Sequence, residues 1–113
     1  MHELGVLLEV VKQVTEVAEE NDVTKIEKLV LQVGELSAMI PRYMKQLYPA
    51  AVDETILEGS ELEIEIIPGN GRCRECNHVY NLLEEDGKCP ECGCQKFEMV
   101  SGDEFMIKEI VCY

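Results

Sequence analysis

Leu4, Leu7, Leu8, Val11, Val14 and Ala18 recur at helical spacing, with Glu9, Lys12, Gln13, Glu16, Glu19 and Glu20 in the positions between them. The pattern predicts an amphipathic helix from residue 4 to residue 20, ended by Asn21-Asp22. From Lys25 to Val33 the period changes. Leu29, Leu31 and Val33 share one parity and Ile26 and Val30 the other, so a strand here is covered on most of both faces. Gly34 closes that strand. Pro41 opens a second helix at its first turn, with Tyr43, Met44, Leu47, Ala51 and Val52 as its apolar side, running to Thr55. Pro49 removes a backbone donor inside it, which predicts a kink or a two-part helix near Gln46.

Leu62, Ile64 and Ile66 then alternate with Glu61, Glu63 and Glu65, the pattern of a strand with one wet face. Phe105 to Tyr113 reads as a further strand that returns to pair with the Leu62 to Ile67 strand. Between these two strands, Pro68-Gly69-Asn70-Gly71 reads as a flexible hinge and Ser101-Gly102-Asp103 as the matching exit. The predicted fold class is α+β: two helices on a small three-stranded sheet, with an inserted four-cysteine zinc-ribbon module. Residues 1–68 and 103–113 form the α/β domain and residues 69–102 the inserted one. A chain of 113 residues suffices for one modest core plus a small appended module, not for two cored domains.

The inserted module carries Cys73-x2-Cys76-x12-Cys89-x2-Cys92, two thiolate pairs at a separation that closes one tetrahedral metal site. The residue after the second cysteine of each pair tends to turn left-handed. Here those residues are Asn77 and Gly93, the types that tolerate it best. Large apolar side chains are few in this stretch (Val79, Tyr80, Leu82, Leu83, Phe97), too few to offset chain entropy alone. Structural zinc supplies on the order of 10 kcal/mol or more in small peptides, so the module is expected to depend on it.

Six cysteines in a short chain also fit a disulfide framework, which needs an oxidising compartment and normally a secretory leader. Met1-His2-Glu3 is no basic leader start, and Glu9 interrupts the short apolar run from Leu4 to Val11. The expectation is a cytoplasmic protein with reduced thiols and no membrane partner. A net charge of -13 repels phosphate backbones. Within the ribbon, Arg72, Arg74, Lys88 and Lys96 are outnumbered by Glu75, Glu84, Glu85, Asp86, Glu91 and Glu98, which argues against a nucleic-acid partner.

The amino end offers chemistry of its own. The Met1 α-amine, the His2 backbone nitrogen and the His2 imidazole can form fused five- and six-membered chelate rings. An amide nitrogen binds only when deprotonated, which favours nickel(II) or copper(II) in a square-planar setting over zinc or magnesium. Glu3 or solvent supplies a fourth donor. On its own, a Met-His start is a weak motif that any exposed terminus could share.

In combination the motifs are specific. Met1-His2-Glu3 opening a helix, Val33-Gly34-Glu35-Leu36-Ser37 after the first strand, and the ribbon cysteines resemble the HypA/HybF family of hydrogenase nickel-incorporation proteins, along essentially the whole chain. The resemblance implies a non-enzymatic nickel metallochaperone, with Ni(II) as transient cargo on Met1, His2 and Glu3 and structural Zn(II) on Cys73, Cys76, Cys89 and Cys92. It implies delivery to the large subunit of a nickel-iron hydrogenase in cooperation with a HypB-type maturation GTPase, and in some organisms to urease with its maturation proteins. Two departures stand out. Some relatives carry an acidic residue just after the Ser-Ala-Met segment where this chain has Ile40-Pro41, and some carry histidine beside both knuckles. Here His78 follows the first pair but Gly93-Cys94 the second.

Two other classes compete. One is a zinc-ribbon interaction module of a transcription or translation assembly, which lacks its basic or aromatic face here. The other is a redox protein with iron in the four-thiolate site, which colour would reveal. His78 reads as an exposed or hydrogen-bonded knuckle residue, Cys94 as a spare packed thiol, and Cys112 as a small apolar residue packed in the last strand. Met39, Met44, Met99 and Met106 are scattered and read as packing, and Glu61, Glu63 and Glu65 as a solvated face.

Overall fold

The computed structural model describes residues 2–112; Met1, one of the expected nickel donors, and Tyr113 lie outside them. The element order is α1 (His2–Glu20), β1 (Ile26–Gly34), α2 (Pro41–Ala51), β2 (Glu61–Ile67), β3 (Asn70–Cys73), β4 (Val79–Asn81), β5 (Phe97–Met99) and β6 (Phe105–Cys112). Two three-stranded sheets result, in the orders β2-β1-β6 and β4-β3-β5. The chain divides into two compact units, one comprising residues 1–32, 38–65 and 106–113, the other residues 33–37 and 66–105.

In the first unit α1 buries Leu7, Val11, Val14 and Ala18 as its periodicity calls for, together with Val10, whereas Leu8 of the expected stripe is 50% exposed and Leu4 only half-buried. It ends where expected. Asp22 turns left-handed at φ 57°, Val23 N–H bonds Ala18 O at 2.8 Å and Asp22 N–H bonds Glu19 O at 3.4 Å, together closing the last carbonyls in a Schellman arrangement. β1 is buried at Ile26, Leu29, Val30, Leu31 and Val33, that is on both parities. α2 is shorter than expected, ending at Ala51 with Val52 as its C-cap, and it is one uninterrupted helix. Pro49 falls in its last turn, where a missing N–H costs one hydrogen bond rather than breaking the helix in two. Met44, Tyr48 and Ala51 form its buried side.

The strand order corrects one expectation: β6 is a neighbour of β1, not of β2. β1 takes the centre because its apolar residues are buried on both faces, with Glu27, Lys28 and Gln32 its polar positions, whereas β2 with three glutamates and β6 with Lys108-Glu109 carry charges suited to edges. The alternation of β2 also fades. Leu62 is buried, Ile64 is half-buried and Ile66 is exposed, while Glu65 is half-buried. Glu65 accepts hydrogen bonds from Gln32 Nε2 at 2.9 Å and from Lys108 Nζ, so a carboxylate from one edge strand is held by both other strands. Cys112 is exposed rather than packed, because it lies at the end of an edge strand.

In the second unit β3 pairs antiparallel with β4 and β5, Gly71 lying opposite both Tyr80 and Met99. Pro68-Gly69-Asn70-Gly71 is not a loose hinge. Ser101 Oγ donates to Pro68 O at 2.7 Å, Gly69 N–H donates to Glu35 Oε1 at 2.9 Å, and Asn70 N–H donates to Ser101 O at 3.1 Å. The glycines serve close approach: a Cβ on Gly69 would lie 2.5 Å from Leu36 and one on Gly71 2.6 Å from Leu82. Gly34 is tighter still, its absent Cβ falling 2.0 Å from the carbonyl oxygen of Gly102.

Candidate metal centre

Two short backbone loops with one design carry the four ribbon thiols. In the first, Cys73 N–H bonds His78 O at 2.8 Å and Asn77 N–H bonds Cys73 O at 2.9 Å. In the second, Cys89 N–H bonds Cys94 O at 2.9 Å and Gly93 N–H bonds Cys89 O at 2.8 Å. Asn77 at φ 64° and Gly93 at φ 77° make the left-handed step in each, as their residue types predict. Cys94 is therefore the backbone counterpart of His78.

The loops converge their sulfurs. The Sγ atoms of Cys73, Cys76, Cys89 and Cys92 all lie within 4.8 Å of one another. Cys73 and Cys92 are 3.4 Å apart, and Cys76 and Cys89 are 3.6 Å apart. A Zn–S bond of about 2.3 Å in a tetrahedron gives sulfur edges of about 3.8 Å, so the set fits a closed Zn(II) site. Every cysteine is a free thiol. Cys73 and Cys89 are buried, Cys76 and Cys92 exposed, so one sulfur of each pair faces the module's core and the other faces outward.

Electrostatics fit the same occupant. The Cys73 thiol is lowered to about 6, first by the Cys76 backbone N–H, against burial, with help from the Glu75 N–H and the Cys92 and Cys76 thiols. The Cys94 N–H also favours a Cys92 thiolate, but the proton shared with Cys73, burial, and the Cys76 and Cys89 thiols outweigh it and push Cys92 up to about 12. For Cys76 the His78 N–H pulls downward, yet burial and the neighbouring Cys89 and Cys73 thiols leave it raised. Four thiols thus crowd together sharing protons, and a divalent cation replaces those protons. The backbone N–H groups aimed at sulfur were not apparent in the sequence, although they follow from the left-handed step.

Around the sulfurs the apolar support is thin. Tyr80 and Leu82 are buried with Cys73 and Cys89, and Leu36, Cys94 and Phe97 pack against them. Val79 and Leu83 are exposed. Tyr80 donates its hydroxyl to Gly87 O at 3.1 Å. His78 is half-buried and stacks parallel to Tyr80, with ring centroids 6.4 Å apart. The Cys94 sulfur accepts from Lys96 N–H at 3.4 Å and lies outside the four-sulfur group.

The amino-terminal residues lie in the other unit. His2 is exposed and begins α1. Glu3 is only 8% exposed, and its Oε2 accepts the Ile40 N–H at 3.4 Å. Ile40 caps α2 without a side-chain hydrogen bond of its own, so a carboxylate from α1 ties down the entry of α2. Sequence reasoning weighed Glu3 only as a metal donor, since a contact between distant residues leaves no periodic trace.

The family description that matches residues 1–112 reads hydrogenase/urease nickel incorporation, metallochaperone, HypA. The hydrogenase maturation factor HypA of Nostoc punctiforme is 38% identical over 110 residues, covering 97% of this chain and 94% of that one. Its counterpart in Streptomyces avermitilis is 36% identical over 112 residues, covering 97% and 86%. Among solved structures, a HypA protein in solution aligns at TM-score 0.71 with 26% identity, covering all of this chain and 97% of that one. The Ni metallochaperone HypA from Helicobacter pylori aligns at TM-score 0.66 with 23% identity over 97% of this chain and 96% of that one, a likeness of fold.

Proposed function

This chain belongs to the HypA family of hydrogenase/urease nickel-incorporation metallochaperones and is a nickel metallochaperone of hydrogenase maturation, and from that premise we propose where its metals reside. Ni(II) binds as transient cargo at the amino end, through the Met1 amine, the His2 backbone nitrogen and imidazole, and a donor at Glu3 or from solvent. Structural Zn(II) is held by Cys73, Cys76, Cys89 and Cys92.

The observation that carries the nickel assignment is the place of His2 at the start of α1. The first four N–H groups of a helix have no intrahelical acceptor, so deprotonating the His2 amide sacrifices no helix hydrogen bond. Buried side chains from Leu7 onward hold the helix, and its first residue remains exposed to solvent. A cargo site at such an end is reached by an incoming acceptor without unfolding the domain. Because Glu3 Oε2 is engaged by Ile40, recruiting that oxygen to nickel would release the Ile40 N–H, whereas recruiting Oε1 or water need not.

The acceptor is the large subunit of a nickel-iron hydrogenase, with a HypB-type GTPase as co-worker and urease maturation as a second destination. The protein works in the cytoplasm, where thiols stay reduced. Among the described residues no helix is long and apolar enough to cross a membrane.

Nickel titration of the native chain beside His2→Ala and a version with one residue added before Met1 tests the cargo site. Both changes are expected to abolish one tight nickel equivalent while zinc stays at about one per chain. Undiminished nickel loading with the extended terminus would overturn the assignment.

A further inference from the structure

With 23 Asp and Glu in 113 residues, acidic side chains are spread along almost the whole sequence, and outside one segment the chain never runs more than nine residues without one. That segment is Leu36 to Val52, which has none and carries Arg42 and Lys45. It contains all of α2. On the helix surface Arg42, Tyr43, Lys45 and Gln46 are exposed, and Ile40 just before it is 43% exposed. The Arg42 guanidinium sits 5.0 Å from the centroid of the Tyr43 ring and donates to its hydroxyl at 3.3 Å. Beside this pair lies a recess of about 260 Å³ lined, among the described residues, by Glu3, Tyr43, Gln46 and Leu47.

We infer that this face of α2 is a docking surface for a protein segment that inserts one large apolar side chain into the recess and sets flanking carboxylates against Arg42 and Lys45. Tyrosine and arginine dominate the energetics of protein interfaces, and here the two are preassembled. The net charge of -13 repels an acidic partner, so the acid-free segment, whose acidic neighbour at the recess is the largely buried Glu3, is where such a partner can approach. A membrane or nucleic-acid surface fits less well, because two cations do not offset the repulsion between an extended anionic surface and the rest of the chain. Glu3 lines the recess, so a docked segment lies beside the amino end. Only this consequence, that docking brings a nickel donor or acceptor to its cargo, rests on the nickel assignment above.

The test uses the zinc-loaded, nickel-free full chain and a short amphipathic peptide with leucine anchors and glutamates at its other positions, followed by amide chemical-shift mapping. Shifts are expected from Ile40 to Ala50, with binding weakened about tenfold by Arg42→Glu and by Tyr43→Ala but not by Lys12→Glu on α1. A matching peptide with lysines in place of glutamates is expected to leave α2 unshifted. Shifts confined to other elements, equal binding of the lysine peptide, or indifference to both α2 substitutions would overturn the surface. So would Arg42-dependent binding to phosphatidylglycerol-containing vesicles in place of the peptide, which would make it a membrane face. Because nickel is absent throughout, failure here leaves the amino-terminal cargo site standing, and failure of the nickel titration leaves this result standing.

Discussion

The two units of this chain reach order by different physical routes. The first buries Leu7, Val14, Ile26, Leu29, Leu31, Met44 and Leu57 almost completely, an ordinary apolar core in which each large side chain is worth about 1.5–3 kcal/mol. The ribbon of the second clusters four buried residues, Cys73, Tyr80, Leu82 and Cys89, two of them candidate metal ligands. Remove the metal and its buried cysteines become crowded thiols with little beyond Tyr80 and Leu82 to hold them. One unit is stabilised by what it excludes from water, the other by what it binds.

The largest expected effect breaks that comparison open. Chelation should remove on the order of 10 kcal/mol from the second unit, and Cys73→Ser, which deletes one of the four thiolates, a part of that. Amide dispersion should collapse from Asn70 to Met99 while the signals of α1 and β1 persist. Retention of dispersion throughout the ribbon after complete zinc removal, or simultaneous collapse of both units, would show that the division of labour is wrong.

Leu29→Ala tests the other side. Leu29 is fully buried in the central strand of the first sheet, and its truncation should cost about 2–5 kcal/mol. The thermal midpoint of the first unit should fall while zinc stays at about one per chain. Zinc release from the folded variant under conditions where the parent retains it would mean that the ribbon draws on the apolar core.

The contrast also explains what could be read in advance. α1 was legible because a helix buried along one side writes its period into the sequence, β1 because its apolar positions fall on both parities, and the metal loops because thiolate spacing and a left-handed residue are local requirements. Strand order was not. That β6 lies against β1 depends on which strand tolerates an edge, a property of the whole sheet, although the glutamates of β2 were a visible hint. Pro68-Gly69-Asn70-Gly71 misled for another reason: glycine marks both flexibility and close approach, and only the neighbouring Leu36 and Leu82 reveal which applies. Glu35, inside a motif singled out by resemblance alone, turns out to hold Gly69 N–H and the Asn81 side chain. Such a contact between distant residues has no sequence period. The same holds for Glu3 and Ile40.

The smallest effect sharpens the comparison through one carboxylate in each unit. The Asn81 side chain first, and then the Gly69 N–H, hold the Glu35 carboxyl below its ordinary value of 4.5, against a small opposing effect of burial. Lys108, followed by Gln32, does the same for Glu65 in the first unit. A carboxyl lowered in the folded state adds stability that is complete above the ordinary value and is lost as pH falls through the lowered one. In a titration from neutral to acid, the Gly69 amide should therefore report Glu35 with an inflection below 4.5, and the Gln32 side-chain amide should report Glu65 likewise. Acid also drives zinc from thiolates, so Glu35→Gln serves as the reference: it should abolish the Gly69 inflection without changing the pH at which the ribbon loses metal. An inflection at or above 4.5 for Gly69, or one that survives in Glu35→Gln, would mean that Glu35 does not hold the Gly69 N–H in solution. The Gln32 signal, from the other unit, separates that outcome from a general shift of carboxylates in a chain of this charge.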